Sequence, residues 1–257
     1  MTSAQLMSPG TSRLAALVGC SLFLFGYSSP TGCTGPSLTT PTVLSSPVAH
    51  RRLWAVAPFS NESGVSTVDP YRIADAFTQQ LEQVRGIDTV AVNRVVSAMR
   101  SIKLRSISSS SEAMHLAETL NVDALVVGTI TAFDPYPPPT LGMAVQVFNR
   151  SSQPTGSQLD PNALVRAPSA PTVSMGAVGA PRASAQASGV YDSRNHTTLG
   201  LLRKYAAGRI EPDSPYGTEV YLMDIELYTQ FVSYWLIHDL LAFERSRQRP
   251  VEIAFER

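Results

Sequence analysis

Ala117-Glu118-Thr119-Leu120-Asn121-Val122-Asp123-Ala124-Leu125-Val126-Val127-Gly128-Thr129-Ile130 is the stretch on which the fold turns. Its second half is a continuous apolar run, the pattern of a strand covered on both faces. Its first half ends a helix. Ser109 and Glu112 form a capping box at that helix's start, and Ala113, Leu116, Ala117 and Leu120 share its inner face. A doubly buried strand directly after an amphipathic helix calls for layers of helix and sheet.

Upstream, Leu53–Ala57 reads as a strand stopped by Pro58, and Phe59–Gly64 as a loop. Asp69-Pro70 opens a helix that runs to about Arg85, with Ile73, Ala74, Phe77, Leu81 and Val84 on one face and Gly86 as its stop. Ile87–Val92 is a strand, and Asn93 caps a short helix carrying Val95, Val96, Met99 and Ile102. Downstream, Pro135–Pro139 is a stiff turn and Leu141–Phe148 a returning strand. Asn149–Gly189 lacks periodicity and reads as a disordered insertion. Val190-Tyr191 is a strand-like stub, and Thr197–Ala207 a helix. Met223–Arg245 is a long helix with Ile225, Tyr228, Val232, Trp235, Leu236, Leu240 and Phe243 as an apolar stripe. The fold class expected is α/β, a layered domain with a mixed four- to five-stranded sheet flanked by helices. Residues 51–257 would form this single domain, interrupted at about 149–189.

The amino-terminal end has a different character. Arg13 precedes Leu14–Tyr27, an apolar run short of the ~18–20 residues a spanning helix needs. Residues 1–33 therefore read as a signal or lipoprotein segment, and 34–50 as a flexible tether spanning roughly 20–25 Å. The chain's 2 cysteines both resemble bacterial lipidation sites. Thr31-Gly32-Cys33 follows the complete apolar run, so Cys33 is the better placed acceptor. Leu17-Val18-Gly19-Cys20 has the better local string, so Cys20 is the alternative.

Lys+Arg and Asp+Glu number 20 each, for a formal net charge of 0, which offers no cationic field for nucleic acid. The four histidines, His50, His115, His196 and His238, are scattered, and no metal-ligand spacing, dinucleotide or phosphate loop, or nucleophile elbow occurs. No catalytic, cofactor-binding or metal-binding residue is expected. Asp224, Glu226, His238 and Asp239 read as the solvated side of the long helix, and Asn61-Glu62-Ser63 as a plain loop. Arg94, Arg100, Lys103 and Arg105 form one local basic patch. It reads as a solvated helix face, with attraction to anionic lipid headgroups as the alternative.

Between Leu53 and Phe148 the order of motifs resembles a group of bacterial envelope lipoproteins. The resembling residues are Trp54–Asn61, Ile73–Phe77, Val90–Arg94 and the Ala117–Ile130 string. The group comprises the curli-secretion (CsgG-like) family, the lipoprotein activators of penicillin-binding proteins, and domains like the amino-terminal part of TolB. The resemblance implies a helix-flanked sheet, a periplasmic address and a role in binding other envelope proteins. Membrane hairpins of the curli pore need alternating strands of about 9–11 residues. The 149–189 segment, broken by Pro154, Pro161, Pro168, Pro171 and Pro181, does not supply them.

The function expected is a lipid-anchored, non-enzymatic protein-interaction module of the bacterial envelope. The chain would be periplasmic, anchored to the outer membrane or exported without an anchor. Its partners would be the membrane and other envelope proteins, with no nucleic acid and no cofactor. The alternatives are a secretion-channel subunit and an enzyme with its site at the carboxyl ends of the strands.

Overall fold

The computed structural model describes residues 40–150, 183–211 and 214–248. The expected signal segment with Cys20 and Cys33, residues 34–39 of the tether, and residues 151–182 of the insertion lie outside the described residues. The sheet comprises β1 (Arg52–Val56), β2 (Ser60–Asn61), β3 (Ile87–Val90), β4 (Ala124–Asp134), β5 (Thr140–Asn149) and β6 (Ala185–Asp192). Its order is β3-β1-β4-β5-β6. The two-residue β2 resumes pairing with β4 after Pro58 interrupts the first strand. Strands β3, β1 and β4 are parallel, and β5 and β6 return antiparallel, so the sheet is mixed as expected.

Six α-helices are present among the described residues: α1 (Pro70–Glu82), α2 (Val92–Ser101), α3 (Ser110–Leu120), α4 (His196–Ala206), α5 (Val220–Met223) and α6 (Ile225–Gln248). The period-2 alternation of β1 and β4 sorts the core between the two faces. Trp54, Val56, Ala124, Val126 and Ile130 pack beneath α1, α4, α5 and α6, while Ala55, Ala57 and Leu125 meet α2 and α3 on the other side. The long α6 lies across β5 and β6 and against α1, on the same sheet that contains β4. It is buried more widely than its stripe suggested, since Phe231, Ile237 and Leu241 are also enclosed.

The deciding string works at its polar positions too. Asn121 adopts a left-handed conformation (φ 52°, ψ 44°) that ends α3, and the Val122 amide donates back to the Ala117 carbonyl at 3.1 Å. Asp123 then ties two strands together. Its amide donates to the Leu53 carbonyl at 2.8 Å, and its carboxylate accepts from the Leu53 amide at 2.9 Å.

Some elements differ from expectation. Helix α2 starts at Val92 with no side-chain cap, because the cap position is held by Ala91, which has no side-chain acceptor; Asn93 lies inside the helix. The stub at Val190-Tyr191 is a full strand, β6, paired with β5 along its length. Residues 42–46 of the expected tether are held against the body. Leu44 is buried in the core, the Arg85 amide donates to the Leu44 carbonyl, and the Ser46 amide donates to the Arg85 carbonyl, both at 2.9 Å. Gly86 permits this closeness: its φ is +87°, and an added Cβ would stand 3.3 Å from that of Ser46.

Candidate functional site

At the carboxyl end of β1 the chain leaves the sheet at Pro58, and a cleft of about 430 Å³ opens there. Phe59 and Ser60 form one side, and Pro70 and Tyr71 at the start of α1 another. Val96, Met99 and Arg100 of α2 and the Leu104–Ile107 turn face them, with Val127 of β4 between. Carboxyl ends of parallel strands are a common place for binding sites, because the connecting loops converge there on a rigid frame.

The turn after α2 shapes this cleft. Ile102 caps the helix, Lys103 takes a left-handed φ of 58°, and two hydrogen bonds close the reversal: Lys103 amide to Arg100 carbonyl (3.1 Å) and Leu104 amide to Met99 carbonyl (2.8 Å). This is the six-to-one and five-to-two pattern with which many helices end, although a lysine stands where glycine is usual. The reversal packs Leu104 next to Met99 and brings Arg105 around to line the same cleft as Arg100.

Arg94, Arg100, Lys103 and Arg105 are all exposed, and none forms an ion pair among the described residues. The flanking carboxylates are already engaged. Asp88 pairs with Arg51, and Glu112 accepts from the amides of Ser108 and Ser109 at 2.7 and 3.0 Å, which holds its pKa below the ordinary value. Asp69, beside the lining residue Pro70, accepts from the amides of Tyr71 and Arg72. The patch therefore keeps its charge turned outward, next to the apolar lining supplied by Phe59, Met99, Leu104 and Ile107. The sequence reading of a solvated helix face accounts for Arg94, whereas Arg100 and Arg105 border a cleft.

The other residues singled out from the sequence do not converge. Asn61 accepts from the amide and hydroxyl of Ser63 and donates to the Val65 carbonyl at 2.9 Å, so Asn61–Ser63 is a self-satisfied loop. Asp224 precedes α6 and accepts from the Glu226 amide, and Glu226 lies 3.5 Å from Arg72. His238 hydrogen-bonds to its neighbour Asp239 at 3.0 Å and packs edge-on against Trp235, 5.3 Å between ring centroids, so the two form a local pair on α6 and join no polar group of the cleft. Among the described residues there is no group of three His, Cys, Asp or Glu side chains able to hold a metal ion, and no helix is long and apolar enough to cross a membrane.

A second cleft, about 560 Å³, lies under residues 41–44 beside Tyr205, Tyr221 and Tyr234. Arg209 stacks over Tyr205 and Tyr234, 4.2 and 5.0 Å from the ring centroids, and donates to the Tyr205 carbonyl at 2.7 Å. Burial pushes the Tyr205 phenol up to about 12. The Arg209 guanidinium and the Tyr234 hydroxyl approach the Thr42 carbonyl, each at 3.5 Å, so this cleft already receives the amino-terminal segment.

No family model and no curated protein matches the chain. Solved structures resemble it at low identity. The LpoB C-terminal domain from Salmonella enterica aligns with a TM-score of 0.34 at 13% identity, over 41% of this chain and 76% of that one. The hypothetical protein CT253 from Chlamydia trachomatis aligns with a TM-score of 0.39 at 10% identity, over 75% and 97%. Lipoprotein GNA1162 from Neisseria meningitidis aligns with a TM-score of 0.36 at 13% identity, over 63% and 98%.

Proposed function

We propose that the chain is a lipid-anchored, non-enzymatic interaction module of the bacterial cell envelope, facing the periplasm from the outer membrane. The apolar run Leu14–Tyr27 would export it, and Cys33, or alternatively Cys20, would carry the lipid. The observation that carries the reading is the placement of the amino-terminal segment. It meets the body beside Arg85, just past the end of α1, while the cleft lies at the start of that helix. Helix α1 has 13 residues, so about 20 Å separate the two ends. The described amino-terminal segment therefore leaves the cleft uncovered, which suits a surface that receives a partner.

The cleft's lining favours binding over chemistry. It contains arginines, a tyrosine, serines and apolar groups, and none of its lining residues is His, Cys, Asp or Glu. A pore subunit is a weaker reading, because residues 185–192, which the sequence left mostly within the insertion, complete the sheet as β6.

Replacing Cys33, Cys20 and then both by serine tests the anchor by membrane fractionation. The chain should move from the membrane to the soluble periplasmic fraction in the Cys33→Ser or the double variant. Membrane association unchanged in all three would overturn the anchored reading.

A further inference from the structure

We infer that the cleft between Tyr71 and the Met99–Ile107 turn docks an acidic segment of a partner protein, one that inserts an apolar anchor side chain between Arg100 and Arg105. The inference deepens the interaction-module reading and rests on it for the partner's existence.

Charge supplies the first argument. The whole chain is neutral, yet residues 89–111 contain Arg94, Arg100, Lys103 and Arg105 and no Asp or Glu. Of the carboxylates nearby, Asp88 pairs with Arg51, and Glu112 and Asp69 are turned to backbone amides instead of to these four cations. Four exposed cations, none of them in an ion pair among the described residues, form a field that attracts and orients an acidic segment. Shape supplies the second. The two arginines do not stand on an open convex surface; they border a cleft floored by Phe59, Met99 and Ile107. A bare anion would use the charges and leave that floor wet. A peptide with one aliphatic or aromatic residue among its acids uses both, in the manner of an interface with a desolvated anchor and a polar rim.

The apolar floor decides between a protein and a lipid surface: anionic headgroups would meet the charges and leave Phe59, Met99 and Ile107 uncovered, whereas a peptide's anchor residue covers them.

The test uses the full chain with Cys20→Ser and Cys33→Ser in mild detergent, so its outcome does not depend on lipidation. Three fluorescein-labelled probe peptides are compared by polarisation: DELFDE, its charge-reversed form KKLFKK, and the anchorless DESSDE. DELFDE should bind, and the other two should bind about tenfold more weakly or not at all. Arg100→Glu with Arg105→Glu should weaken DELFDE about tenfold or more, and Ile107→Ser should erase its advantage over DESSDE. Lys204→Glu, an exposed cation on α4, should change nothing. Circular dichroism of each variant separates lost binding from lost fold, and Arg100→Gln with Arg105→Gln serves if the reversed charges disturb folding. No DELFDE binding at millimolar peptide would overturn the inference. So would equal binding of DESSDE, or an Arg100- and Arg105-dependent association with phosphatidylcholine–phosphatidylglycerol vesicles in the absence of peptide binding. A failure here leaves the fractionation result standing, and the reverse also holds.

Discussion

Arg52 and Glu244 meet where little water reaches: the guanidinium lies 2.7 Å from the carboxylate, with side-chain exposures of 10% and 7%. The guanidinium also rests over the Trp54 ring, 4.9 Å from its centroid. The pair joins the first strand to the last described helix across the sequence. Removing one partner strands the other charge, and that penalty exceeds the worth of the pair itself. Glu244→Ala should therefore lower stability by about 3–5 kcal/mol in urea unfolding, with Glu244→Leu plus Arg52→Met recovering most of it. A loss under about 1 kcal/mol for the single variant would contradict the burial. Gly128 answers to sterics instead. A Cβ there would stand 2.2 Å from the Phe59 ring, which itself packs 5.7 Å from Phe77. The glycine in the deciding string is thus the space in which the first wall of the cleft sits.

Helix α3 shows how directly some elements were written in the sequence. Ser109 and Glu112 form the expected box, the Ser109 hydroxyl accepting from the Glu112 amide at 3.2 Å and the Glu112 carboxylate accepting from the Ser109 amide. Because the carboxylate is the charged acceptor, its folded pKa lies below the ordinary 4.5, the Ser108 amide being the main cause. Its contribution is then complete above pH 4.5 and is lost as pH falls through the lower folded value. Wild type should be more stable than Glu112→Gln at about pH 7, and the two should converge in strong acid; a gap that stays constant with pH would exclude a charged cap. The strands Ala124–Ile130 and Leu53–Ala57 were equally legible, since both their faces are covered and both sets of residues are apolar. Strand β6 was not. Only Ala185, Ala187, Gly189 and Tyr191 turn toward α6, three of them small, while Gln186, Ser188 and Val190 face solvent. Its strand character comes from pairing with β5, which no local pattern announces.

At the scale of the whole molecule, the sheet and its helix layers followed from periodicity, whereas the cleft did not. The basic residues were visible as a cluster, but their convergence depends on Lys103 taking a backbone conformation for which lysine gives no signal. The docking of Thr42–Ser46 was hidden for a similar reason: one buried leucine and a few backbone hydrogen bonds have no period. That small attachment has a mechanical meaning. Pulled by its amino-terminal end, the chain would load Leu44 and the Arg85 bonds first, and these would give way in succession rather than together. Residues 42–50 would then pay out as slack, about 30 Å of it, before any strand of the sheet took the load. Optical-tweezer traces should show this short step ahead of the main rupture, and Leu44→Ser should abolish it; a single rupture in wild type would mean there is no such buffer. Strain arriving from that side would be absorbed there, leaving the cleft at the start of α1 undisturbed.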